Sequence, residues 1–128
     1  MAARVTMTGF LDTQEKADAL AAADLLVVPS RREAMSIVVL EAAAAGRAVL
    51  VTDRCGIPDV ETAGGGWVVP ASVPGLEQGL TAAARARDFL PVMGERWKRR
   101  AMELFSWDRA AEQHLSLMRA AGRRSGTA

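Results

Sequence analysis

Two carboxylates, Glu33 and Glu41, stand eight positions apart in the run EAMSIVVLE. The first follows an apolar run, LLVVP, and a short polar turn of Ser30, Arg31 and Arg32; the second lies in an apolar segment that closes at Gly46. The pattern reads as a strand that delivers an acid to the mouth of a helix carrying a second acid. Helix N-termini attract anions through unpaired N–H groups and the macrodipole. Carboxylates at that place repel phosphate, so their natural partners are hydroxyl groups. A ligand joining phosphate to many hydroxyls, a sugar nucleotide, suits both features. If the helix ran back to Glu33, the two acids would differ by about 80° around its axis and face one elongated ligand. Two plainer readings stand beside this one. Glu33 also fits a solvated loop acid, and Glu41 a salt bridge to a neighbouring arginine, since a buried unpaired carboxylate is costly.

The surrounding elements alternate. Val5 to Thr8 reads as a short strand closed by Gly9. Asp12 with Glu15 forms a capping-box pattern that opens an alanine-rich helix to about Ala22. Leu25–Val28 and Ala48–Thr52 are continuous apolar runs, the mark of strands buried on both faces. Between them the spacing predicts a helix from about Ser36 to Ala45, capped by Gly46. DRCGIPDV reads as a loop, and Gly64 to Gly66 as a turn into a strand, Trp67–Val69. Helices are expected from Gly75 to about Ala86, from Pro91 to about Phe105, and from Trp107 to about Ala120 behind a Ser106 cap. Residues 121–128 read as a disordered tail after one domain spanning 1–120. Apolar strands alternating with helices predict an α/β fold, a Rossmann-like parallel sheet with flanking helices. In such sheets ligands bind beyond the carboxyl ends of the strands. Glu33 and the loops at Gly9-Phe10-Leu11 and Asp53 to Val60 should share that edge.

Composition narrows the function. The 128 residues are half hydrophobic and 24% charged, with a net charge of +1. That balance offers no argument for nucleic acid, and the absence of tyrosine removes common stacking platforms. Cys55 is the lone cysteine and His114 the lone histidine. No metal site and no bound cofactor are expected, and a reducing cytoplasm is the default, with peripheral membrane attachment left open. No run approaches the ~20 apolar residues of a transmembrane segment. Trp67, Trp97 and Trp107 read as packing residues, His114 as a surface or packing residue, and Cys55 as a small loop residue. The basic run Arg96, Lys98, Arg99, Arg100 reads as a solvated helix face.

From Val5 to Met118 the chain resembles the C-terminal, donor-binding domain of the group 1 retaining glycosyltransferases, enzymes of GT-B architecture with two Rossmann-like domains across a cleft. The resemblance rests on ADLLVVPS, the acid–seven–acid motif EAMSIVVLE, the following EAAAAGRAVLVTD, the CGIPDV loop, GGGWVVP and the final FSWDRAAEQHL. It implies transfer of a glycosyl group, with retention, from a nucleotide-diphosphate sugar to an acceptor hydroxyl on a glycan or lipid. It implies that Glu33, with Ala34 and Met35, meets the donor sugar. Glu41 would accept hydrogen bonds from the ribose, and backbone amides from Ala34 through Ser36 to Ile37 would approach sugar and diphosphate. The backbone near Leu11 would border the base. An ionised carboxylate accepts up to four hydrogen bonds and matches a pair of vicinal hydroxyls. No residue stands out as a catalytic base or nucleophile.

The sequence departs from the family pattern in places. Ala34 and Ser36 stand where glycine is common, Cys55 where glycine is frequent, and Asp59 where glutamate is usual. Ala34 limits how closely a ligand approaches, whereas Ser36 is suited to cap the helix. The family's first two strands, its diphosphate-gripping cations and its N-terminal domain have no counterpart here; Arg31 and Arg32 are the nearest candidate cations. In the family strand order 3-2-1-4-5-6 the missing strands are central, so Val5–Thr8 would lose its bridge to the others. The chain therefore reads as part of a longer or split enzyme, inactive alone, whose partner is the missing domain or a complementary chain. The alternative is a non-catalytic remnant acting as an interaction module through an open sheet edge. A pyridoxal-phosphate glycan phosphorylase is disfavoured, because neither Lys16 nor Lys98 sits in a suitable motif.

Overall fold

Three short apolar runs become the strands of one parallel sheet: β1 (Leu25–Val28), β2 (Ala48–Thr52) and β3 (Gly66–Val69), in the order β1-β2-β3. The computed structural model describes residues 4–124, with side chains to residue 122. Leu25 pairs with Ala48 and Val28 with Val51 on one side of β2, and Thr52 pairs with Val69 on the other. Parallel neighbours require crossovers. These are α2 (Ile37–Ala44) and the short α3 (Asp59–Thr62), the latter lying in the stretch expected to be all loop. Helix α1 (Thr13–Ala22) precedes the sheet; α4 (Val73–Arg85), a 3-10 turn (Arg87–Phe89), α5 (Leu90–Leu104) and α6 (Trp107–Arg124) follow it.

Both faces of β2 are covered. Val49 and Val51 pack with Val39, Ala42 and Ala43 of α2 and Trp97 of α5, all within one buried cluster. Leu50 points the other way, where Gly79 of α4 lies so close that an added Cβ would sit 2.5 Å from a Leu50 methyl. The α2–α5 contact is fastened by the Trp97 indole N–H, which donates to the Val39 carbonyl at 3.0 Å. Every β2 residue is buried, as its sequence predicts.

Four local expectations are corrected. Val5–Thr8 is not a strand; those residues are irregular and exposed and join no sheet among the described residues. β1 is half-buried rather than buried on both faces, because it is an edge strand. Helix α4 begins at Val73, earlier than Gly75, because Ser72 accepts from the Gly75 N–H and Pro74 fits the first turn. Helix α6 continues through Arg124, beyond Ala120, so residues 121–124 are helical rather than tail; residues 125–128 lie outside the described residues. The capping box at α1 is as expected: Glu15 N–H donates to Asp12 Oδ1 and Asp12 N–H to Glu15 Oε2, both at 2.9 Å. Among the described residues no helix is long and apolar enough to cross a membrane.

Candidate functional site

Because the strands are parallel and in close register, the segments that leave their carboxyl ends lie along one edge. Sequence-distant groups bind them together. Glu33 N–H donates to the Arg54 carbonyl at 2.9 Å, and Ser36 N–H to the Cys55 carbonyl at 3.1 Å. Thr52 Oγ1 donates to the Ser30 carbonyl, and the buried Cys55 thiol donates to the Val28 carbonyl at 3.4 Å. Asp53 N–H reaches the Val69 carbonyl, and its side chain accepts from Ala71 N–H, which joins the loop after β3 to the same edge. Gly56 lets this happen: its φ is +70°, and a Cβ there would lie 2.0 Å from the Ala34 carbonyl oxygen. The loops after β1 and β2 thus form one hydrogen-bonded shelf ahead of α2.

Glu33 sits half-buried on that shelf, and its Oε2 accepts from Ser30 Oγ at 2.9 Å. Its other oxygen makes no hydrogen bond among the described residues. Ala34 and Met35 are exposed beside it, as are Arg31 and Arg32, neither of which forms an ion pair among the described residues. Ser36 occupies the N-cap position of α2 with no side-chain cap bond, contrary to expectation. Its side chain is wholly buried and its hydroxyl has no hydrogen-bond partner among the described residues. Ile37, the first helical residue, is exposed. The helix does not extend back to Glu33, so the simple 80° relation between the two acids does not apply.

Glu41 lies one turn into α2 and faces α1. It is paired, but with a lysine rather than an arginine: Lys16 Nζ is 2.6 Å from Oε1. The side chains are 42% and 33% exposed, so the pair is wetted. Its second oxygen makes no hydrogen bond among the described residues. Glu41 and Lys16 line an open groove of about 480 Å³ between α1 and α2, and Glu33 is not part of its lining. Leu11 is half-buried directly before the Asp12 cap of α1, at the same end of that helix. Glu33 to Ile37 therefore form one contiguous turn, whereas Glu41 belongs to the adjoining groove. Lys16 was not legible as a site residue: 25 positions separate it from Glu41, and no local spacing announces the contact.

The other singled-out residues take packing or surface places. Trp97 is fully buried, Trp67 half-buried and Trp107 91% exposed. His114 is exposed, with Nδ1 2.9 Å from the Ala110 carbonyl of its own helix. Arg100 leaves the solvated basic face to meet Asp59 of α3 at 3.5 Å and Glu103 at 3.4 Å.

Three parallel strands with flanking helices and a shelf at the carboxyl edge define a Rossmann-like α/β unit of the GT-B glycosyltransferase kind. The fold superposes on the sucrose-phosphate synthase of Thermosynechococcus elongatus with a TM-score of 0.79 at 27% identity, covering 95% of this chain and 31% of that one. Residues 1–85 match the group 1 glycosyl transferases, and the chain belongs to that family. It is 31% identical over 115 residues to the MMP alpha-(1->4)-mannosyltransferase of Mycolicibacterium hassiacum, covering 88% of this chain and 28% of that protein. It is 36% identical over 108 residues to the alpha-maltose-1-phosphate synthase of Mycobacterium tuberculosis, covering 78% and 28%. An uncharacterised glycosyltransferase of Methanocaldococcus jannaschii is 28% identical over 120 residues, covering 92% and 31%. The chain spans less than a third of the length of each of these relatives.

Proposed function

We propose that this chain supplies the donor-binding part of a retaining glycosyltransferase that uses a UDP-, GDP- or ADP-type sugar. The observation that carries the reading is the pair of acids at the α2 end of the sheet. Glu33 and Glu41 are both half-buried, both anchored through one oxygen, and both left with the other oxygen able to accept. In this reading Glu33 accepts from hydroxyls of the sugar and Glu41 from the ribose. The backbone of Ala34, Met35, Ser36 and Ile37 lies along the sugar and diphosphate, and the backbone near Leu11 borders the base. Arg31 and Arg32, exposed and in no ion pair among the described residues, offer positive charge beside the turn. Transfer to an acceptor hydroxyl releases the nucleoside diphosphate. The contribution of these residues is positioning and stabilisation of the departing charge. The acceptor and the rest of the cleft belong to another domain or chain.

Glu41→Ala and Glu33→Ala in the complete enzyme test this. Each charge-assisted hydrogen bond contributes about 1.5–3 kcal/mol, so each variant should weaken donor binding by roughly one to two orders of magnitude in Kd. Unchanged donor affinity by calorimetry would remove that residue from its role.

A second reading draws on one observation, the outer edge of β1, which pairs with no strand among the described residues; Val5, Met7 and Phe10 ahead of α1 are exposed as well. Such an edge suits strand addition by a partner. Clean self-association with no nucleoside diphosphate binding would favour this interaction module over the transferase.

A further inference from the structure

The ammonium of Lys16 sits on the one acid that the donor reading gives to the ribose. On that reading, we propose that Lys16 is a specificity-determining residue of the donor site, and that Lys16 and Glu41 together read the vicinal diol of the ribose as a donor–acceptor pair. The two side chains come from facing helices and meet at 2.6 Å, Nζ to Oε1. Carboxylate Oε2 is left without a hydrogen bond among the described residues. An ammonium has three N–H donors and no acceptor, and an ionised carboxylate accepts only. With one N–H spent on Oε1, the pair presents an open acceptor next to open donors. A vicinal diol presents the same pattern inverted: one hydroxyl donates to Glu41 and its neighbour accepts from Lys16.

The surroundings favour a ligand over a simple tie between helices. The groove walls beyond the pair are small and apolar, chiefly Ala17, Ala21, Ala44 and Ala45, and leave about 480 Å³ open. That is within the range of small-molecule sites. Lys16 is the sole cation lining the groove among the described residues; Asp18 is the other charged residue there besides Glu41. An ion pair this wetted adds little to stability, so holding α1 against α2 is a weak reason for its geometry. Arginine at position 16 would keep the charge and the donors, whereas methionine would keep only the bulk.

Calorimetry on the full-length protein tests the proposal, with UDP, GDP and ADP and, for whichever binds, its 2′-deoxy and 3′-deoxy forms. Wild type, Lys16→Met, Lys16→Arg and Glu41→Gln are compared, each with its melting temperature. Lys16→Met should lose about tenfold in affinity for the ribonucleotide, with Lys16→Arg retaining most of the binding. The Lys16→Met loss should vanish with the deoxy form that lacks its hydroxyl, and the Glu41→Gln loss with the other. A Lys16→Met loss equal across all three sugars, or no loss at all in a folded variant, overturns the inference while leaving the donor reading intact. Failure of wild type to bind any of the three nucleotides removes both.

Discussion

On the α2–α5 side of the sheet, Val39, Val49, Val51 and Trp97 are fully buried, and the Trp97 indole finds the Val39 carbonyl. At the carboxyl edge, Ser36 is buried as deeply, but among the described residues its hydroxyl has no partner and Glu33 and Glu41 each keep an open oxygen, while Gly56 takes a left-handed backbone. The first region fills its space and satisfies its buried indole, although Arg47 Nε at its rim has no hydrogen-bond partner among the described residues. The other leaves hydrogen-bonding capacity unspent. A body packed to crystal-like density can carry an edge that is less than optimally stable, and binding sites draw on that difference.

Three substitutions test how far the contrast goes. Trp97→Ala removes the largest fully buried side chain from the helix-covered face. It should destabilise by about 3–5 kcal/mol, read as a shift in the urea midpoint at constant m-value, and would erase much of a typical domain's stability. Gly56→Ala strikes the shelf. Its positive φ alone should cost about 1–3 kcal/mol, and the Ala34 carbonyl, 2.0 Å from the added Cβ, must also shift. Because the loop carrying Gly56 holds Ser36 N–H, hydrogen exchange at Glu33 and Ser36 should quicken beyond the global loss. If exchange rises uniformly instead, shelf and body are one cooperative unit. Ser36→Ala should have the smallest effect and the opposite sign. Deleting an unsatisfied buried hydroxyl recovers about 1 kcal/mol, seen as a higher melting temperature. A lower one would mean that the hydroxyl is satisfied in solution and that the edge is as well built as the body.

Much of the body was legible from local pattern. AVLVT at 48–52 is apolar up to its closing threonine and forms the central strand, and Asp12 with Glu15 marked the start of α1 to the residue. The site was half legible. EAMSIVVLE pointed to the turn and helix at the carboxyl edge, and those residues do bridge β1 and α2. Ser36 looked like a side-chain cap, yet the hydroxyl makes no such bond, because its rotamer answers to the packed shelf and not to helix preference alone. Trp97 and Trp107 are alike as residues, but one is fully buried under α2 and the other almost fully exposed. Nothing within a few positions of either distinguishes them.

Apart from Val5–Thr8 and the short α3, the order of the main helices and strands, the parallel α/β class and the acid-bearing turn followed from the chain alone, since periodicity, capping residues and glycine placement act over a few neighbours. Tertiary structure decided the rest: that VTMT at 5–8 remains unpaired while LLVV at 25–28 becomes a strand, and that Lys16 meets Glu41. Strand pairing and ion pairing depend on which distant segments arrive side by side, and short-range preferences carry no record of that.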